Sequence, residues 1–261
     1  MPKGRVLTST LKCLAVLEAV AAAPGPIGVS ELARPQNSSR GTVHQQLATL
    51  VEAGWVEQVE GGKYRLTLRA ARIGHRALEQ ASLGQRIRPA LEALAASTGE
   101  AVSVGVLDGP SALIVQRVES GQVLRAGLGV GSHMPLATSA TGRVLVAFLP
   151  PNVLAALREQ GITLPPDEDL EQVRATGVAV SVDEYMEGIS AVSAPLFDGE
   201  GTLIAALSSA TPTSRFSADS ATDAVRNAAV DVNAILAGGL ANGWTSSPAG
   251  MYDGERRLLS V

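Results

Sequence analysis

Residues 38–68, SSRGTVHQQLATLVEAGWVEQVEGGKYRLTL, decide how the first part of this chain folds. Ser39 is placed to cap a helix whose apolar stripe is Val43, Leu47, Leu50 and Val51, and Gly54 ends that helix in a left-handed conformation. The opposite face carries Arg40, Thr42, His44, Gln45 and Thr49. WVEQV and KYRLTL then alternate as strands do, and the EGG between them supplies the positive-φ glycines of a hairpin. A helix that packs by one stripe while exposing guanidinium, hydroxyl and amide groups matches the donors and acceptors of a major groove. The hairpin adds a basic edge, Lys63, Tyr64 and Arg65, for the phosphate backbone. The candidate DNA-binding residues are therefore Ser39, Arg40, Thr42, His44, Gln45, Lys63, Tyr64 and Arg65.

Upstream, Leu7, Leu11, Leu14, Leu17 and Ala21 recur at helical steps, which predicts a first helix from Thr8 to Ala23, stopped by PGP. GVSELAR opens a short second helix, with Gly28 or Ser30 as cap and Glu31 in its first turn, and Pro35 ends it. Three helices and a hairpin over residues 1–68 make a winged helix-turn-helix, and that order outweighs the commoner reading of a polar helix face as merely solvated. Leu7, Leu11 and Leu14 exceed what a minimal three-helix core requires. They point to dimerisation through this domain and the helix after it.

The chain has 261 residues, enough for a small module and a larger one. Its charge of -4 is segregated: residues 1–75 hold nine Lys/Arg against five Asp/Glu, or +4, leaving twelve against twenty, or -8, for the remainder. The single cysteine, Cys13, excludes a disulfide within the chain and a multi-thiolate metal site. No run of about 18 apolar residues and no signal-like segment is visible, so a cytoplasmic protein with no membrane partner, no metal and no cofactor is expected.

Residues 69–98 read as helix interrupted near Ser82 and Gly84, giving a linker helix over 69–82 and a second domain over 83–240. AVSVGVL, ALIVQRV and VLRAGLGV predict an antiparallel meander. Helices follow at 139–149, 151–160 and 167–176, then VAVSV, ISAVSAPLF and TLIAALSSA as strands, and a closing helix over 217–238. The fold class is α+β. The tail, residues 241–261, has turn residues and no sustained period, which predicts disorder.

With these elements in place the chain resembles the IclR family of bacterial transcription regulators over about residues 6–240. The resemblance rests on LKCLAVLEAV, SELAR, GTVHQQLATLVEAGWVE and YRLT in the first domain, and on PLATSATGRVLVAFLP and RATGVAVSVDEYMEGISAVSAPLFDGEGTLIAALSSATPTSRFS in the second. It implies a winged helix joined by a helix to a GAF-like domain that binds a small-molecule effector, acting as a homodimer or homotetramer, more often as a repressor than an activator. It also implies an effector cup at Met134, Ser139, Ala140, Thr141, Ser181, Asp183, Ala191, Ser208 and Ala210. A helix N-terminus at residues 139–142 suits a carboxylate. Small residues there equally permit close helix–sheet packing, and Asp183 equally caps a helix over EYMEG. Against the family pattern, NSSRG occupies the turn before the third helix, Gln45 stands where Arg is common, Ala137 replaces a frequent His, and Arg143 a frequent Lys.

An enzyme is disfavoured. GLGVGS at 127–132 is followed by His133, Met134 and Pro135 where a dinucleotide-binding helix should begin, and there is no Gly-x-Ser-x-Gly elbow. His133 is the one histidine away from the first domain and the linker, and catalytic residues are accordingly none. The favoured reading is a regulator binding double-stranded operator DNA under control of a small, carboxylate-bearing effector. The unusual turn keeps open a metabolite-binding or protein-interaction protein with weak or vestigial DNA binding.

Overall fold

The computed structural model describes residues 6–119 and 128–238, which form two compact units, 6–77 and 78–238. In the first, α1 (Thr8–Ala22), α2 (Val29–Ala33) and α3 (Arg40–Glu52) precede β1 (Val56–Val59) and β2 (Lys63–Leu66). Val16, Val20, Leu32, Val43, Leu47, Leu50, Val56 and Tyr64 form one core. Of the apolar stripe expected on α1, Leu17 packs against this core and the leucines before it do not. Val16 and Val20 are buried, whereas Leu7, Leu11 and Leu14 are 66%, 38% and 46% exposed, because α1 carries two apolar faces and the three-helix core takes only one. Val51 likewise stays outside the core. Cys13 packs beside Leu17 at the rim of this cluster, and burial pushes its thiol pKa up, away from the reactive thiolate.

α4 (Arg69–Gln80) follows, and the division between the units falls within it. The second unit continues with α5 (Arg88–Thr98), β3 (Ala101–Asp108), β4 (Ser111–Val118) and β5 (His133–Pro135). Then come α6 (Ala140–Ala147), α7 (Pro151–Glu159), α8 (Asp167–Thr176), β6 (Ala179–Val182), β7 (Ile189–Phe197), β8 (Leu203–Pro212) and α9 (Ala218–Ala237). The strands form one antiparallel sheet in the order β5-β4-β3-β8-β7-β6. The third strand expected in VLRAGLGV lies mostly outside the described residues, and the strand beside β4 is the short β5. The tail at 241–261 also lies outside them.

Alternation along the strands divides the sheet into two faces. Val102, Val104, Val192, Ala194, Leu196, Ala205 and Leu207 point into a core closed by α5 and α9. Ala112, Ile114, Ala179 and Ala206 point the other way, against Val144, Leu145 and Leu149 of α6 and its end, with Val153, Leu157, Leu170 and Val173 from α7 and α8 behind. The unit is thus an α+β sandwich with helices on both faces of an antiparallel sheet.

The ends of β3 and β8 are clipped together. Arg215 donates from Nε and Nη2 to the two oxygens of Glu100, at 2.6 and 2.8 Å. Burial raises the Glu100 pKa, but the Arg215 fork and the Thr211 hydroxyl outweigh it and hold the carboxyl below its ordinary range. A folded pKa below the unfolded one means stability that is present above the unfolded pKa and is lost as pH falls through the folded value. Glu100→Gln is therefore expected to lower the melting temperature at neutral pH, with the gap to the unmodified chain closing on acidification below the normal carboxylate range. Melting curves across pH check this, and a gap independent of pH would reject the clip as the cause.

Candidate DNA-binding face and effector cup

The entry to α3 is built by side chains. Asn37 takes a left-handed φ of 45°, the Ser38 hydroxyl donates to the Gln36 carbonyl at 3.1 Å, and Ser39 caps the helix by accepting from the Thr42 amide at 3.1 Å. Ser39 and Thr42 also share a hydroxyl–hydroxyl bond of 2.8 Å, so both groups proposed for DNA already hold the helix start. Arg40, His44 and Gln45 are exposed on the face opposite Val43, Leu47 and Leu50, and Arg40 has no ion pair among the described residues.

The wing corrects one expectation. Tyr64 is 5% exposed and sits in the core, because alternation along β2 turns it inward between the outward-facing Lys63 and Arg65. Its backbone also pairs with Ile27, which adds a bridge to the hairpin. Lys63 is exposed, while Arg65 is tied across the hairpin to Glu57 at 2.7 Å. Gly61 and Gly62, at φ 79° and 70°, make the turn. Arg69 donates to the Ala53 carbonyl at 2.7 Å and lies over the Trp55 ring, joining the start of α4 to the end of α3.

The residues expected in the cup fall mostly on one face of the sheet. Ser181 pairs with Ala191, and Ala191 with Ala210; Ser208 lies two residues before Ala210, hence on the same side. That side is the one covered by α6. Met134 on β5 and Thr141 on α6 both approach Gly105, where an added Cβ would sit 3.8 Å from Met134 Cε and 2.6 Å from Thr141 Cγ2.

The start of α6 is locked. Ser139 Oγ donates to the Pro135 carbonyl at 2.6 Å and accepts from the Gly142 amide at 3.0 Å, while Ser181 Oγ donates to the Thr138 carbonyl at 2.8 Å. Of the first-turn amides expected to be free, Gly142 is engaged, leaving those of Ala140 and Thr141. Ala140 is buried in the apolar cluster, so its side chain packs and only its amide remains for a ligand.

Asp183 departs most from expectation. No helix forms over EYMEG; Asp183 holds φ 57° and its Oδ1 accepts from the Gly188 amide at 2.8 Å and the Thr213 hydroxyl at 2.7 Å. It therefore stabilises the exposed β6–β7 connection. Sequence reasoning missed the part played by Arg143. Its Nε donates to the Ala137 carbonyl at 2.9 Å, Nη1 to the Val180 carbonyl at 3.0 Å, and the fork pairs with Glu184. A lysine ammonium cannot hold these three points in one plane. His133 pairs on the surface with Asp108 at 2.9 Å.

The first unit is thus a three-helix module with a hairpin and an exposed polar third helix, and the second gathers most of the expected effector residues on the sheet face under α6. Residues 9–60 match the IclR helix-turn-helix domain, and residues 75–234 match the family described as Bacterial transcriptional regulator IclR C-terminal. The chain belongs to the IclR family of bacterial transcriptional regulators. It is 32% identical over 224 residues to the HTH-type transcriptional regulator KdgR of Escherichia coli, covering 81% of this chain and 84% of that one. It is 29% identical over 236 residues to the transcriptional repressor IclR of Escherichia coli, covering 85% and 86%. The crystal structure of Pseudomonas aeruginosa HmgR superposes with a TM-score of 0.72 at 27% identity, over 88% of this chain and 99% of that one. These curated relatives are regulators of transcription, not enzymes. Among the described residues no helix is long and apolar enough to cross a membrane, and no cluster of metal-ligating side chains occurs.

Gly142 lets α6 pack on the loop before it. A Cβ there would lie 2.5 Å from Leu136 Cα and 2.6 Å from the Pro135 carbonyl, both backbone atoms. Gly142→Ala is expected to destabilise the second unit by about 1–3 kcal/mol, since α6 must move off its loop. Chemical denaturation measures it, and a change within about 0.5 kcal/mol, as at an ordinary surface site, would show that the loop gives way freely.

Proposed function

We propose that this regulator represses its target by binding operator DNA through α3 and the hairpin, and that a small carboxylate-bearing metabolite in the cup of the second unit modulates that binding. The observation that carries the DNA half is the exposed face of Arg40, His44 and Gln45 at the start of α3, together with the exposed Lys63 of the hairpin. The N-terminal residues of such a helix reach base edges in the major groove. The hydrogen-bonded turn at residues 34–39 presents α3 in order, which favours DNA binding over a vestigial module. A relative named as a transcriptional repressor supports the sign. Cytoplasmic residence accords with contact to DNA.

The effector half rests on the small and hydroxyl residues that Ser181, Ala191, Ser208 and Ala210 place under α6, beside the amides of Ala140 and Thr141. Domain limits of 1–68, 69–82 and 83–240 serve this scheme. Coupling requires that the effector bind the DNA-competent and incompetent arrangements with different affinity. The assembly is a homodimer or homotetramer. Its contacts are supplied by Leu7, Leu11 and Leu14 on α1 and by Ile73 on α4, 46% exposed, all large apolar groups left outside their unit's core.

Mobility shifts on the chain's own upstream DNA test the first half. Arg40→Ala is expected to lower operator discrimination by about 1–3 kcal/mol, and Lys63→Ala to weaken all sequences alike and flatten the salt dependence. Ala210→Leu is expected to remove the effector response and leave DNA binding intact. Equal operator affinity in the first two variants would reject the docking face. For assembly, Leu11→Glu with Leu14→Glu is expected to halve the mass measured by light scattering. An unchanged mass would place the interface elsewhere.

A further inference from the structure

Arg117, on β4, is a buried cation that none of the expected cup residues anticipates. Its side chain is 3% exposed. Nε donates to Glu119 Oε1 at 2.9 Å and Nη1 to Ser103 Oγ at 2.9 Å, while Nη2 is buried with no hydrogen-bond partner among the described residues. A guanidinium has five N–H donors, and leaving buried ones unsatisfied is strongly disfavoured unless something else accepts from them.

The register shows which way this group faces. Arg117 lies opposite Ser103, Ser103 opposite Ser208, and Ser208 opposite Ser193, so one arginine and three serines form a single lateral row across β4, β3, β8 and β7. Val102 and Val104, the neighbours of Ser103, point into the α5/α9 core, so the row points the other way. Gly105, two residues further along β3, lies under Thr141 at the start of α6. The span between Ser103 and Gly105 is about 7 Å at the rise of a strand. Ser103, Ser193 and Ser208 are all buried. A cationic fork thus stands at one end of a row of buried hydroxyls, on the sheet face that α6 covers.

We propose that Arg117 is the anion receptor of the effector cup, binding one carboxylate of a small metabolite whose far end carries a second hydrogen-bond acceptor for the amides of Ala140 and Thr141. This rests on the cup reading given above and refines it. Glu119, 46% exposed, holds the Nε edge and fixes the plane of the fork, and Ser103 fixes its position. The Nη2 side is presented to the ligand. A planar fork in a site of low dielectric binds a carboxylate more tightly and with more directional control than a hydrated ammonium. The second acceptor selects against simple short-chain monoacids, and neutral analogues lose the charge-assisted bond.

The test uses the full-length protein and four probes, succinate, glutarate, levulinate and malate, each beside its amide, with melting temperature and operator mobility shift as readouts. At least one acid is expected to raise the melting temperature of the unmodified chain where its amide does not. In Arg117→Gln that acid should bind about tenfold or more weakly, the loss of one charge-assisted hydrogen bond, with operator binding retained. Arg117→Lys, which keeps the charge and lacks the fork, should fall between, and it decides the matter if the glutamine variant is too unstable to read. No acid outperforming its amide overturns the proposal. So does an acid response of full strength in both Arg117 variants. If that response is abolished by Ala210→Leu, the cup survives without its arginine; if it persists there too, the cup reading itself fails.

Discussion

The pairing of β3 with β8 is the constraint on which the second unit depends. It joins Ser103 to Ser208, residues 105 apart in the chain, and so brings the hairpin of β3 and β4 against that of β7 and β8. Closing so long a loop is entropically costly and adds nothing until the strands dock. The apolar half of the sheet makes up the deficit. Each buried leucine or valine contributes on the order of 1.5–3 kcal/mol when removed from water, and Val102, Val104, Val192, Leu196 and Leu207 all lie on the face closed by α5 and α9. The ion pair between Glu100 and Arg215 then fixes the ends of the same two strands.

The other face packs an apolar cluster of its own under α6, α7 and α8, but the sheet residues it draws on include smaller and more polar ones. Ser103, Ser193, Ser208, Ala191 and Ala210 would be poor choices for a core, yet they sit on the central strands β3, β7 and β8, with Ser181 beside them on the edge strand β6. Their hydroxyls are kept satisfied by backbone carbonyls, as Ser193 is by Leu207 and Ser181 by Thr138. Helix α6 can approach β3 closely because Gly105 offers no Cβ to Thr141, and it can lie on its own loop because Gly142 offers none to Pro135 and Leu136. Strand alternation thus sets Val102, Val104, Val192, Leu196 and Leu207 on one face and Ser103, Ser193 and Ser208 on the other.

This division explains what could be read from the sequence. The third helix, the hairpin and five of the six strands of the second unit announce themselves because each is a run with an unbroken period and a turn residue at its end, and local chemistry suffices to see them. Tyr64 was misplaced because a basic run, KYR, hides the alternation that turns its middle residue inward. The two apolar faces of α1 look alike in the chain, and which of them packs depends on α2 and α3. Arg117 was invisible for a stronger reason: its neighbours Ser103 and Ser208 are set by register, and a bulge between Val104 and Gly105 shifts β4 against β3. Asp183 reads as a helix cap from spacing, but EYMEG is too short and too near the hairpin to fold as one.

Charge gives the last reason for an arginine inside the second unit. Residues 76–261 carry a formal net charge of -8, whereas residues 1–75 carry +4. Long-range attraction therefore draws DNA to the first unit and disfavours an anion near the second, although at physiological salt such fields fade over about 8 Å. The anionic effector proposed above would have to be held by short-range contacts strong enough to offset both that field and its own dehydration. Surface lysines, screened and hydrated, cannot provide them. A guanidinium whose donors face away from solvent can, and its plane must be fixed before the ligand arrives if binding is not to be weakened by ordering it. Ser103 and Glu119 do this for Arg117, as Ala137, Val180 and Glu184 do for Arg143 at the other edge of the sheet. The two arginines differ in one respect. Arg143 meets protein on every side that its contacts define, and so braces the α6 loop; Arg117 has an edge without a partner among the described residues, and that edge is what the proposed ligand would use.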